Sequence, residues 1–141
     1  MIATIAVGTD GSGTATEAVR MAGGLARRLD AKLVLLSAFQ EGPPPPEPND
    51  PTAELDWVVC DSARVREILT RTETDLRREG IHCTTRVDEG EAAEVLVRLA
   101  TECDADLLVI GNKGMHRRVL GSVPNTVTHR APCSVLVVKT T

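Results

Sequence analysis

The sequence of 141 residues predicts one α/β domain, a doubly wound parallel sheet of five strands with helices on both faces. Short apolar runs rich in β-branched residues alternate with segments of helical periodicity, beginning and ending with a strand. Two of these runs end in glycine-rich loops, a common feature at the carboxyl ends of parallel strands. Aromatic residues make up only 1% of the chain, so the core must consist of aliphatic side chains.

The first half of the chain contains a βαβ unit. Ile2–Gly8 is apolar on both faces, as in a strand covered by helices on both sides. Thr14–Leu29 has apolar residues at helical spacing, and Lys32–Phe39 is the next buried strand. Residues 40–56 include the run Pro43–Pro46 and two further prolines, which exclude a helix or a central strand. We predict a single domain, 1–141, with a mobile Pro-rich insertion at 40–56.

The segments after the insertion predict a helix, an edge strand and a second helix. Trp57–Glu79 has helical periodicity and ends before a glycine. Ile81–Val87 alternates in the manner of an edge strand, and Asp88-Glu89-Gly90 is predicted to break it. Glu91–Cys103 is the next amphipathic helix.

The last part of the chain predicts two strands with a helix between them. Leu107–Ile110 is a buried strand that leads into the second glycine-rich loop. Val123–His129 forms the helix after this loop, and Ala131-Pro132-Cys133 stops it. Ser134–Lys139 is the final strand.

Composition argues against several classes of protein. A net charge of -4 is unfavourable for a protein whose main partner is a nucleic acid. No stretch of 18 apolar residues occurs, so we expect no membrane span and a cytoplasmic location. The four cysteines lack C-x-x-C spacing, which predicts reduced thiols and no metal site.

The two glycine-rich loops point to an anionic ligand. The first is Gly8-Thr9-Asp10-Gly11-Ser12-Gly13, and the second contains Gly111, Gly114 and Gly121-Ser122. Glycine lets backbone N–H groups converge on a phosphate, and the start of a helix attracts anions. If the first and fourth strands are neighbours, both loops line one crevice and a nucleotide site is favoured. In isolation, a G-x-x-G sequence is equally compatible with an ordinary turn.

Enzyme classes that use nucleotides are not supported by the sequence. It lacks G-x-x-x-x-G-K-[ST], and the first loop does not have the dinucleotide spacing G-x-G-x-x-G. Asp10 could hold Mg²⁺ through a bound nucleotide, but no second carboxylate or base is identifiable. We therefore assign no catalytic residue and expect any ATP hydrolysis to be slow and incidental.

Four motifs resemble the universal stress protein family: V-G-T-D-G-S at 7–12, G-N-K-G at 111–114, G-S-V-P at 121–124 and A-P-C-S-V-L-V-V at 131–138. The resemblance implies a Rossmann-like fold related to the adenine nucleotide alpha hydrolases, with strand order 3-2-1-4-5. It also implies a homodimer through Val135–Val138. In nucleotide-binding members the motif positions contact the nucleotide, with Asp10 near it, Ala38 at the adenine and the glycine loop at the phosphates. The candidate binding residues are Gly8, Thr9, Asp10, Ala38, Ile110, Gly111, Gly114, Gly121, Ser122 and Val123.

The second loop is shorter than the family pattern. Six residues separate Gly114 from Gly121, whereas the usual ATP-binding pattern has nine. Three residues correspond to about 4.5 Å of helical rise, enough to alter how the loop meets a triphosphate. We expect ATP as the ligand, with Mg²⁺, in a stress-response regulatory protein that acts on a protein partner. The alternatives are AMP or cyclic AMP, or a dimeric interaction module that binds no nucleotide.

Overall fold

The computed structural model describes residues 1–41, 60–112 and 120–139, in which strands and helices alternate. The strands are β1 Thr4–Gly8, β2 Lys32–Phe39, β3 Cys83–Glu89, β4 Leu107–Asn112 and β5 Ser134–Lys139. The helices are α1 Gly13–Leu29, α2 Ser62–Arg78, α3 Ala92–Glu102 and α4 Ser122–Arg130. The strands pair in parallel in the order β3-β2-β1-β4-β5, which confirms the predicted fold class.

The core consists of two aliphatic layers, one on each face of the sheet. Along β1, Ile5 and Val7 pack with α1 and α2, whereas Ala6 packs with α3 and α4. This alternation follows from the two-residue period of a strand, and it explains why the central strands are apolar throughout. The sheet is therefore doubly wound, and in the described part of the chain two helices lie on each face.

Hydrogen bonds at the ends of β1 and α2 explain why both elements begin later than predicted. The backbone N–H groups of Ala3 and Thr4 both donate to the Asp106 carboxylate, so β1 begins at Thr4 rather than at Ile2. Asp61 Oδ1 accepts from the Arg64 N–H at 2.8 Å and caps α2, which starts at Ser62. Trp57, the predicted start of this helix, lies outside the described residues.

The predicted break at Asp88 is wrong, because β3 continues through Glu89. Asp88 pairs with Ala38 and Glu89 pairs with Phe39, so the ladder to β2 decides where β3 ends. The chain turns at Gly90 instead, where φ is +143°. The strand β4 is also longer than predicted: Gly111 and Asn112 stay in the sheet and pair with β5.

The residues on either side of 42–59 are hydrogen-bonded to each other. The Gln40 N–H donates to the Cys60 carbonyl oxygen, and the Ser62 N–H donates to the Glu41 carboxylate. Most of the predicted Pro-rich insertion lies outside the described residues, so its mobility and the single-domain assignment stay predictions. Within the described ranges, no helix is both long and apolar enough to cross a bilayer.

Candidate functional site

The candidate site lies beyond the carboxyl ends of β1 and β4, which are neighbours in the sheet. Their last pair is Val7 with Val109. The chain leaves β1 over one face, through α1, and leaves β4 over the other face, through α4. This point, where the winding of the sheet changes direction, is where ligands bind in doubly wound folds.

The loop after β1 is held by its own side chains. Asp10 Oδ1 accepts from the Ser12 N–H at 2.9 Å, and Thr9 Oγ1 accepts from the Gly11 N–H at 3.3 Å. Ser12 Oγ accepts from the Ala15 N–H and caps α1. Gly11 has a φ of +82°, a backbone conformation that glycine adopts without strain. The loop thus places the Asp10 carboxylate at the end of β1, where only 8% of the residue surface is exposed.

The two ends of the loop after β4 are joined by one long-range hydrogen bond. Asn112 Oδ1 accepts from the Gly121 N–H at 2.8 Å, and both residues are buried. This bond sets the start of α4 beside the end of β4. The N-cap of α4 is Gly121, which provides no side-chain cap. The first N–H groups of α4 point beyond the carboxyl edge of the sheet, and Ser122 is exposed there.

Gly111 has a packing role that the sequence did not reveal. A Cβ at this position would lie 2.6 Å from Thr14 Cγ2 and 2.7 Å from the Thr14 carbonyl oxygen, in the first turn of α1. Only glycine allows β4 and α1 to approach so closely. A phosphate contact by Gly111 stays a prediction.

Ala38 lies where β2 extends beyond β1. The Leu36 carbonyl accepts from the Thr9 N–H, so the backbone groups of Leu36 point toward β1. The Phe39 carbonyl accepts from the Gly90 N–H, so the backbone groups of Phe39 point toward β3. Because backbone groups alternate along a strand, those of Ala38 point to the β1 side. The β1–β2 register ends at Leu36, so Ala38 faces the crevice rather than a strand partner.

The structure brings together most of the predicted site residues. Gly8, Thr9 and Asp10 stand at the end of β1, and Gly121 and Ser122 stand at the start of α4. Ile110 and Val123 are different, because their side chains are buried in the layer between the sheet and α3 and α4. Their side chains contribute packing, so the predicted ligand contact at these two positions would have to involve backbone groups. Gly114 lies outside the described residues.

Sequence reasoning missed Asn112 as a site residue. Its side chain is 1% exposed and holds the loop closed through Gly121. The sequence contained one signal for this role, a polar amide directly after an apolar strand. Such a group needs a hydrogen-bond partner when it is buried. In the sequence Asn112 was only an unassigned position between two glycines.

The cysteines are not activated as nucleophiles, and the described residues hold no metal cluster. Burial raises the pKa of all four thiols, so they stay protonated at neutral pH. They are free and only partly buried. Within the described ranges, no cluster of three His, Cys, Asp or Glu side chains could hold a metal ion.

Comparison with known proteins decides the family. The model of the universal stress protein family matches residues 1–139. The chain belongs to the universal stress protein family. A universal stress protein of Mycobacterium tuberculosis is 37% identical over 142 residues, covering 98% of this chain and 97% of that protein. One of Methanocaldococcus jannaschii is 31% identical over 138 residues, with 96% and 81% covered.

Two solved structures of the family are similar to this chain and contain nucleotides. A universal stress protein in complex with cAMP is 34% identical, with a TM-score of 0.76 and 99% of both chains covered. The universal stress protein of Archaeoglobus fulgidus in complex with dAMP is 25% identical, with a TM-score of 0.69 and 97% and 98% covered. Both likenesses extend over nearly the whole chain.

Proposed function

We propose that this universal stress protein binds an adenine nucleotide in the crevice beyond β1 and β4. The observation that carries the proposal is the hydrogen bond between Asn112 and Gly121, which places the start of α4 beside the end of β4. The protein then acts as a stress-response regulatory module, through a ligand-dependent change in a partner-binding surface rather than through turnover.

The phosphate end of the crevice is the start of α4. Its first N–H groups have no capping side chain from Gly121, and Ser122 adds a hydroxyl group there. The N–H groups at the start of a helix and the helix dipole together attract a phosphate. In the sheet, β1 lies between β4 and β2. The Asp10 carboxylate, at the end of β1, is therefore on the β2 side of the phosphate end.

The base end of the crevice is formed by β2. Ala38 offers one backbone donor and one acceptor on the side where β1 has left the sheet. Adenine presents a complementary pair, the ring acceptor N1 and the exocyclic amine. Because β1 lies between β2 and β4, Asp10 is placed for the ribose of a nucleotide that spans the three strand ends.

A nucleotide with one phosphate is the ligand to test first. The six residues between Gly114 and Gly121 leave a shorter loop than a triphosphate usually meets. The ligands of the two nucleotide-bound relatives, cAMP and dAMP, each carry a single phosphate. ATP with Mg²⁺ is the second ligand to test.

Thermal unfolding with cAMP, AMP and ATP, each with and without Mg²⁺, tests the proposal. A ligand at 100 times its Kd adds about 2.7 kcal/mol, and each kcal/mol raises the Tm of a chain of this size by roughly 2–4 °C. Asp10→Asn keeps an oxygen for the Ser12 N–H but removes the charge, so it should fold and lose most of the shift. Glu102→Gln, at the opposite end of the sheet, is the control. No shift with any nucleotide at millimolar concentration would favour a ligand-free interaction module.

A homodimer through β5 is part of the same proposal. The strand is an edge of the sheet, and Val135, Leu136 and Val137 are only partly buried. Pairing with a second copy would satisfy the backbone groups along this edge and cover these side chains. Light scattering at micromolar concentration should give twice the monomer mass, and a monomer would contradict the pairing.

A further inference from the structure

A groove of about 510 Å³ runs between α1 and α2, on one face of the sheet, and one end of it reaches Thr9 and Gly11. Its floor is apolar, formed by the buried side chains of Val19, Ile68 and Leu76. The groove is separate from the start of α4, which lies on the other face. It is therefore a second concave surface, distinct from the proposed phosphate site.

The rim of this groove is positively charged, although the whole chain has a net charge of -4. Among the described residues, four arginines line the groove, against Asp75 and Glu79 in its lining and Glu67 beside it. The lining arginines are Arg20, Arg64, Arg71 and Arg78. The local sign of the charge is thus opposite to that of the protein.

Part of this positive charge is not neutralised within the described residues. Arg64 and Arg71 share one carboxylate oxygen of Glu67, at 3.3 and 3.1 Å. Arg20 forms no ion pair with any residue that the structure describes. Because the shared pair is exposed, an incoming carboxylate can compete for these guanidinium groups at little cost.

The dimensions favour an extended chain over a small anion. The lining residues of α2 run from Arg64 to Glu79, which corresponds to about 22 Å of helix axis. An extended peptide of about seven residues has this length. Alternation along such a peptide would turn one set of side chains to the apolar floor and leave the other set near the rim.

We propose that the α1–α2 groove binds an extended acidic segment of a partner protein. The apolar side chains of the segment pack on Val19, Ile68 and Leu76, and its carboxylates pair with Arg20, Arg64 and Arg71. The proposal does not depend on nucleotide binding, because none of these groups belongs to the α4 end of the crevice.

Fluorescence anisotropy on the full chain tests the groove. The probe is a fluorescein-labelled peptide of about eight residues in which aspartate or glutamate alternates with leucine. The test variant is Arg20→Glu with Arg71→Glu, and the matched control is Arg28→Glu with Arg66→Glu. Each double variant reverses one charge on α1 and one on α2, all at exposed positions, but the control arginines do not line the groove.

We expect the test variant to bind the acidic peptide at least tenfold more weakly than the unmodified protein, and the control to stay within about twofold. Circular dichroism melts should show that both variants fold. The proposal is overturned if the acidic peptide does not bind at millimolar concentration or if the control loses as much affinity as the test variant. Equal binding of a lysine-leucine peptide, or of a single-stranded oligonucleotide, would overturn it as well.

Discussion

The loop after β1 and the loop after β4 are both rich in glycine, but the contacts that stabilise them differ in how far apart the partners lie in the sequence. The side chains of Thr9, Asp10 and Ser12 accept hydrogen bonds from N–H groups two or three positions away. Among the described residues, the long-range bonds of this loop are at Thr9, whose N–H and carbonyl groups bond to Leu36 and Ser37 of β2. The second loop depends on Asn112, which contacts Gly121 nine positions away, and on Gly111, which packs against Thr14.

The conformation of the first loop is set mainly by residues near it in the sequence, whereas that of the second loop is set by tertiary contacts. The turn of the first loop is formed by its own side chains and the start of α1, and β2 holds the loop at Thr9. The second needs the whole sheet, because Asn112 is buried only once β4 lies between β1 and β5. Damage to packing should therefore disturb the second loop more than the first.

Substitution of Gly111 should have the largest effect on stability. Gly111→Ala would place a methyl group 2.7 Å from the Thr14 carbonyl oxygen, and backbone cannot rotate away as a side chain can. We expect a loss of about 3 kcal/mol, at the upper end of what overpacking costs. Urea unfolding measures this loss.

Gly24→Ala is the matched control for Gly111→Ala. Gly24 is exposed within α1, and a Cβ at this position would meet no described atom within 4 Å outside its own stretch of helix. Alanine there should stabilise the protein by up to about 1 kcal/mol, since it favours the helix. A similar loss at both positions would contradict the role given to Thr14.

Removal of the Asn112 amide should have the next largest effect. Asn112→Ala leaves the buried Gly121 N–H without its acceptor, which costs about 2 kcal/mol. If the start of α4 holds the phosphate, the same variant should also weaken nucleotide affinity. Urea unfolding and nucleotide titration measure the two effects. Unchanged affinity in a folded Asn112→Ala protein would separate the loop from the binding site.

Loss of the α1 cap should have a smaller effect, confined to the first loop. Ser12→Ala removes the acceptor for the Ala15 N–H, which costs about 1 kcal/mol. Ser12→Gly should cost less, because glycine is tolerated at this position of a helix. Equal losses for the two variants, measured by thermal unfolding, would show that Ser12 stabilises something other than the cap.

The smallest effect is expected at Asp106, which holds the opposite end of β4. Hydrogen bonds from the N–H groups of Ala3 and then Thr4 lower the pKa of this exposed carboxyl below its ordinary 3.8. A lowered folded pKa stabilises the protein above the ordinary value, and the contribution disappears as the pH falls through the folded value. Asp106→Asn keeps an acceptor without the charge, so its Tm should lie slightly below that of the unmodified protein at pH 7.

This difference in Tm between the protein and Asp106→Asn should close in strong acid, where Asp106 is protonated. Melting curves recorded from neutral pH to below 3.8 test this. A difference that stays constant across the range would mean that the charge of Asp106 contributes nothing to stability.

Local patterns were sufficient to predict the elements but not all of their ends. Apolar runs and helical periodicity correctly predicted β2 and β5 with their observed bounds. The predicted end of β3 at Asp88 was wrong, because local patterns do not include the neighbouring strand. A polar pair would end an isolated strand, but pairing with β2 continues β3 through Glu89. The end of an edge strand depends on its neighbour, which a local pattern does not contain.

Membership of a motif also did not say which way a side chain points. Gly8, Thr9 and Asp10 were correctly placed at the end of β1, because here the glycine-rich turn directly follows the apolar run. Ile110 and Val123 belong to the same motifs, yet their side chains fill the core beside α3 and α4. Orientation depends on strand pairing and helix packing, and both are tertiary.

The sequence by itself determined the alternation of strands and helices, the aliphatic core and the turn chemistry of the first loop. These follow from residue periodicity and from hydrogen bonds between near neighbours. Only the tertiary structure decided that Gly111 must pack on Thr14, that Asn112 closes the second loop and that arginines of α1 and α2 line one groove. Each of these contacts joins elements separated in sequence, and they form only when the sheet brings those elements together.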